Sequence, residues 1–223
     1  MISAHKIPQD LDALGGSFNY PNLCELTEQF LFEHLNPDNN DTSEPGPSDH
    51  DHPTITIKIA VFWSAVATFY TPSDESGIHS MCRELIQASP SWCKKVPWYV
   101  TALVVEDDTW PGMQGLWVVR AKLFFSFLFE GVEYLCALVE WFSRIGNHPD
   151  CDTGLWWVIP DVTGIKQDVS VIHLNLFFRG THLPIFNGDQ FLPCGFHHGY
   201  TLDCFYSYFV NKYSDHLAHK MLF

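Results

Sequence analysis

The sequence predicts a mainly β (α+β) domain, a small bent sheet or partly open β-barrel with an N-terminal and a C-terminal helix. Three observations predict it. Residues 115–142, GLWVVRAKLFFSFLFEGVEYLCALVEWF, read as one long β-hairpin. Further short extended segments flank it on both sides, giving six to eight strands in all. Amphipathic helical stripes occur near the two ends of the chain, and none alternates with the strands, which disfavours a doubly wound α/β fold.

Within the hairpin, Trp117, Val119, Ala121, Leu123, Phe125, Phe127 and Phe129 recur at period two and are expected to share one face. Glu130-Gly131 reads as a two-residue turn. Counting outward pairs Phe129 with Val132, Phe127 with Tyr134, Phe125 with Cys136 and Leu123 with Leu138. Such cross-strand pairs contribute about 0.2–1 kcal/mol each over alanine. The same count sets Arg120 opposite Trp141.

The remaining elements follow in order. Residues 1–35 form an N-terminal segment with one amphipathic helix: 1–21 read as loose chain. Asn22 then caps a helix through Glu25 in a capping-box spacing, with Leu23, Leu26, Phe30 and Leu31 as its apolar stripe. Residues 36–53 carry five acids, four prolines and no Lys or Arg, and read as an acidic linker. The β-rich domain spans 54–223. Strands are expected at 54–61, 64–70, 99–105, 155–159 and 169–174, with 177–186 as extended chain leaving at Pro184. Residues 78–88 fit a short helix or a strand. A terminal helix is expected from Thr201, with Leu202, Phe205, Tyr206 and Phe209 on one stripe, extended by Tyr213 and Leu217.

The chain of 223 residues suffices for a sizeable core, and 46% apolar with 15% aromatic residues marks it as globular. Its formal net charge is −14, from 26 acidic against 12 basic residues, which repels phosphate backbones and disfavours non-specific nucleic-acid binding. Seven cysteines, an odd number without a Cys-x-x-Cys pair, fit reduced thiols in a nuclear or cytoplasmic protein. The N-terminus lacks the apolar core of a signal peptide, and no apolar run is long enough to span a membrane.

Several constellations could carry chemistry, each beside a plainer reading. Seven cysteines and 12 histidines could supply a nucleophilic pair, but no local signature supports one, and Cys136 lies in the apolar hairpin, where packing suffices. Zinc could use Cys194, His197 and His198, or His216 and His219 on the last helix, yet no fourth ligand stands out. Asp49-His50-Asp51-His52 lies in linker chain without fixed geometry. Asp107-Asp108, Asp150, Asp152 and Asp168 sit beside turn formers, where solvated acids are usual. Trp141, Phe142 and Trp156, with Tyr134 and Trp157 nearby, could form an aromatic cage for a methylated lysine, against the plainer reading of a core filled with rings. No phosphate loop or nucleophile elbow occurs. The residues therefore assign no catalytic, cofactor or metal position.

The order of segments resembles the C-terminal region of transposon-encoded proteins of mushroom-forming fungi, of the Plavaka and Kyakuja–Dileera–Zisupton type. The residues that carry this are ELTEQFLFEHLNP (25–37), FYTPSDESGIHSMCRE (69–84), ASPSW (88–92) and PGMQGLWVVRAKLFFSFLFEGVEYLCALVEWFSR (111–144). They continue with PDCDTGLWWVIPD (149–161), VSVIHLNLFFRGTHLPIFNGDQFLP (169–193) and LDCFYSYFVNKYSDH (202–216). Leu135 stands where the family usually has proline, and the segment 179–185 is one residue shorter than the family pattern. The resemblance implies an accessory β domain that lacks the metal-binding carboxylates of the transposase core. Its strand order also loosely resembles bromo-adjacent-homology chromatin modules. The expected function is thus a non-catalytic interaction domain derived from a fungal transposase. Its partner would be a protein, the rest of a transposase or chromatin, with no cofactor. The alternatives are a metal- or thiol-dependent enzyme, or a transposon relic without a selected role.

Overall fold

The computed structural model describes residues 10–37, 59–71, 79–91, 97–164, 166–186, 191–192 and 194–222. Two helices come first, α1 (Leu11–Phe18) and α2 (Leu23–Leu35). Strands β1 (Ile59–Phe62), β2 (Ser64–Tyr70), β3 (Met81–Ser89), β4 (Trp98–Tyr99) and β5 (Thr101–Val105) precede the hairpin of β6 (Leu116–Phe129) and β7 (Val132–Arg144). Then follow β8 (Trp156–Pro160), the short ribbon β9 (Val162–Thr163) and β10 (Lys166–Gln167), β11 (Val169–His173) and β12 (Phe177–Thr181). The one-turn helix α3 (Thr201–Cys204), β13 (Tyr208–Val210) and α4 (His216–Leu222) complete the order.

The hairpin turns where the sequence says it must. Glu130 and Gly131 both have positive φ, 49° and 83°, as a type I′ turn requires. The pairs Phe129–Val132, Phe127–Tyr134, Phe125–Cys136 and Leu123–Leu138 form as expected. Beyond them the register shifts between Ala121 and Leu123, so that Lys122 is the extra residue of a bulge. Arg120 therefore faces Glu140, and Trp141 faces Val119, which corrects the expected Arg120–Trp141 pair. The bulge also splits the apolar ladder. Leu123, Phe125 and Phe127 pack in one core with Leu11 and Leu14 of α1 and Leu23 and Leu31 of α2. Val119 and Ala121 pack in another with Ala67, Phe69 and Ile86 of β2 and β3. One inserted residue exchanges the faces of everything beyond it, so the seven alternating residues do not share one face.

The main sheet runs β12-β5-β6-β7-β8-β13, with β1 on the far half of β6 and β11 on β7. After Thr181 the chain returns along β13. Asn211 N donates to His182 O (3.0 Å), Phe209 N to Pro184 O (2.9 Å) and Phe186 N to Ser207 O (3.2 Å). These bonds join the two ends of the strand order and nearly close a barrel. Pro184 contributes only its carbonyl, so its missing N–H costs nothing there. Inside lie Leu103, Leu116, Val118, Phe142, Trp156, Val158, Leu183, Tyr208 and Val210, with Ala218 and Leu222 of α4 packed into the same core. The smaller sheet β2-β3-β4 packs against the opposite hairpin face, and Glu84 ties it to β12 by accepting from Gly180 N at 2.9 Å.

Three further expectations are corrected. Residues 1–21 are not all loose: α1 forms, its N-terminus capped by Asp10 Oδ1 accepting from Ala13 N at 2.7 Å, with Leu11 and Leu14 buried. Asn22 precedes α2 but makes no side-chain cap bond, so the capping box does not form. The single terminal helix is instead α3, β13 and α4, because Tyr208 and Val210 are buried at strand spacing against β8. Residues 78–88 resolve as strand β3, and 99–105 is divided at Val100 between β4 and β5. Residues 38–53 of the linker, 49–52 within it, and 54–58 of the first expected strand lie outside the described residues.

Candidate functional site

At one end of the barrel a cleft of about 370 Å³ opens between the approach to the hairpin and its exit. It is lined by Trp110, Gln114, Trp117, Ser143, Arg144, Gly146, Asn147 and Trp156. The chain before β6 folds over in the 3-10 turn Gly112–Gly115. A Cβ on Gly115 would lie 2.2 Å from Asp107 O and 2.7 Å from Trp110 O, so glycine is what lets the Trp110 loop close onto the sheet. Trp110 is left 59% exposed, while Trp156 is 5% exposed and donates its indole N–H to Leu222 O at 3.1 Å. Arg144 ends β7 between two rings, with Cζ 5.8 Å from the Trp117 centroid and 5.9 Å from that of Trp156. Its Nη1 donates to Met113 O in the turn. Among the described lining residues Arg144 is the one charged side chain, in a chain with a net charge of −14. Two carboxylates touch that lining, Asp107 hydrogen-bonding Trp110 and Asp161 Oδ1 accepting from Ser143 N at 3.1 Å.

A second polar constellation lies on the hairpin itself. Glu140 of β7 is 8% exposed and receives Lys122 Nζ at 3.1 Å and the Tyr20 hydroxyl at 2.8 Å on the same oxygen. Arg120 Nη1 stands 3.7 Å from the other oxygen and 2.5 Å from Asp203 Oδ1 of α3. Lys122 Nζ lies 4.2 Å from the Tyr99 ring centroid. Burial, and then the Glu140 charge, push the Tyr20 phenol well above its ordinary range. Burial, and then Arg120, push the Lys122 ammonium down, with Glu140 opposing both. This layer divides the core under α1 and α2 from the barrel core on the same face of β7. Its carboxylates neutralise two buried cations that the bulge turns inward.

The three residues expected to cage a methylated lysine are not brought together. Trp141 and Phe142 are consecutive on β7 and point to opposite faces. Trp141 packs edge-on to Trp117 at 6.1 Å and donates to Ser170 Oγ at 2.7 Å. Phe142 is wholly buried against Tyr208, with centroids 5.9 Å apart. Trp156 does reach the cleft, but Arg144 already lies over its ring. Trp157 packs with Phe186 and Phe209 at 4.7 and 5.2 Å. Tyr134 stacks on Phe127 at 5.2 Å. The residues that sequence reasoning missed are Trp110, Trp117 and Arg144. Trp117 was counted as one rung of the apolar ladder, and the signal for the site was Pro111-Gly112, a turn that folds one tryptophan toward the other.

The other candidates are dispersed. Cys136 is fully buried and its thiol is pushed up to about 12 by burial. Burial, with Glu28 beside it, raises the Cys24 thiol to about 11. Asp107 and Asp150 accept from Thr109 and Thr153 in local turns, which hold both carboxyls below the usual range. Cys194 is exposed, and His216 and His219 lie in α4. Among the described residues no three His, Cys, Asp or Glu side chains come together as metal ligands would, and no helix is long and apolar enough to cross a membrane. Comparisons with protein-family models, with curated proteins and with solved structures find no match.

Proposed function

We propose that this chain is a non-catalytic binding module and that the tryptophan cleft is where it takes a protein partner. The observation that carries the reading is the cleft's lining: three indoles and a stacked guanidinium around about 370 Å³, one of the indoles 59% exposed. Tryptophan and arginine in a partly enclosed pocket are the residue types that anchor protein interfaces. A reacting centre needs a nucleophile, base or metal ligand set, and Arg144 is the only ionisable side chain among the described residues that line the cleft. The resemblance to transposon-encoded C-terminal regions supports a partner within a transposase or on chromatin, in a nuclear or cytoplasmic setting.

A random peptide display library panned against the full chain tests the reading. Recovered peptides are expected to bind at least tenfold more weakly to Trp110→Ala, a change at an exposed side chain that leaves the core intact. Peptides indifferent to that change would move the binding site elsewhere.

A further inference from the structure

Building on the cleft as the binding site, we propose that its ligand is a short peptide segment presenting a carboxylate beside an aromatic or bulky apolar side chain. A cation is the wrong occupant. Arg144 already covers the rings of Trp117 and Trp156, so a methylated lysine would meet a fixed positive charge where it needs a bare π face.

The same guanidinium is well prepared for an anion. Stacking between two rings and the bond to Met113 O fix its plane. An arginine carries five N–H donors in a rigid fork, suited to receiving both oxygens of a carboxylate. Gln114, Asn147 and Ser143 add neutral donors to the same lining. Trp110, half out in solvent, offers the apolar side chain a ring to lie on. The volume falls at the lower end of ligand pockets, so a segment of a few residues is what fits. A nucleic acid could also offer an anion and flat bases, but 26 acidic residues against 12 basic ones disfavour a phosphate chain.

The carboxylate could be a chain terminus or an acidic side chain, and three peptides separate these sources. N-acetyl-Gly-Leu-Phe is prepared as free acid and as amide, with N-acetyl-Glu-Leu-Phe-amide as the third. Each is titrated into the full chain by calorimetry and tryptophan fluorescence. At least one carboxylate peptide is expected to bind tenfold or more tighter than the neutral amide. Trp110→Ala is expected to weaken every peptide. Arg144→Gln is expected to remove the preference for the carboxylate peptides over the neutral amide, and Arg144→Lys to restore it only in part. Equal affinity for all three peptides, still sensitive to Trp110→Ala, would overturn the carboxylate and leave the cleft as the binding site. Binding insensitive to Trp110→Ala, or no binding of any peptide at millimolar concentration, would overturn both. Tighter binding of a thymidine decamer than of any peptide would overturn the choice of ligand class.

Discussion

The Tyr20 hydroxyl is a single group on which several elements depend. It follows α1, and its hydrogen bond to Glu140 joins the helical pair to the centre of β7. Nothing in the sequence around Tyr20 marks it as a partner of a residue 120 positions away, since long-range polar pairs leave no local period. Arg120 and Lys122 alternate in the sequence with the apolar residues of the hairpin, a pattern in which charge usually means solvent. Tyr20→Phe removes a bond to a charged acceptor and is expected to cost about 1.5–3 kcal/mol near neutral pH, measured by urea unfolding. The pH dependence has a definite sign. The folded phenol holds its proton above the ordinary value of about 10, where the unfolded chain gives it up. The stabilisation is therefore complete below about pH 10 and falls as pH rises beyond it. Wild type should lose stability more steeply than Tyr20→Phe above pH 10; equal slopes would show that the phenol does not govern that limb.

Among the elements, the hairpin was the most legible because a period of two over many residues and a two-residue turn are local signals. Four expected pairs form. The bulge was not legible, because no residue type announces it and it serves a partner, Glu140, on the other strand. Helix α1 was hidden for a different reason: Gly15 and Gly16 depress its propensity, and only docking of Leu11 and Leu14 makes it a helix. The bulge yields a prediction of its own. Deleting Lys122 restores an even count and drives either Val119 and Ala121 or Leu123, Phe125 and Phe127 onto the wrong face. The deletion variant should lack a cooperative thermal transition by near-ultraviolet circular dichroism. By contrast, Lys122→Met keeps the count and should retain the transition.

At the scale of the whole molecule, the mainly β architecture with helices toward both ends was readable from the sequence, whereas the closure was not. The bonds that nearly close the barrel come from 182–186, an irregular stretch containing Pro184, and involve main-chain groups that no side-chain pattern encodes. The cleft shared that fate: its walls come from a loop, both hairpin strands and β8, which only the fold assembles. Helix α4 illustrates how the whole depends on its last segment. Ala218 and Leu222 are buried in the barrel core and Leu222 O receives the Trp156 indole. Leu222→Ala is expected to cost about 2–5 kcal/mol in urea unfolding. It should also shift the tryptophan emission, since the Trp156 environment loosens with the helix. An unchanged midpoint and spectrum would detach α4 from the core.

The charged layer around Glu140 has a consequence for how the sequence can vary. Substitutions on its helical side, at Leu14 or Phe127, and on its barrel side, at Val118 or Tyr208, do not share a core cluster. Their free-energy effects should therefore sum, as they do for residues without common partners. Each compartment is free to drift and be repaired on its own, while the ionic floor between them is held in common and tolerates the least change.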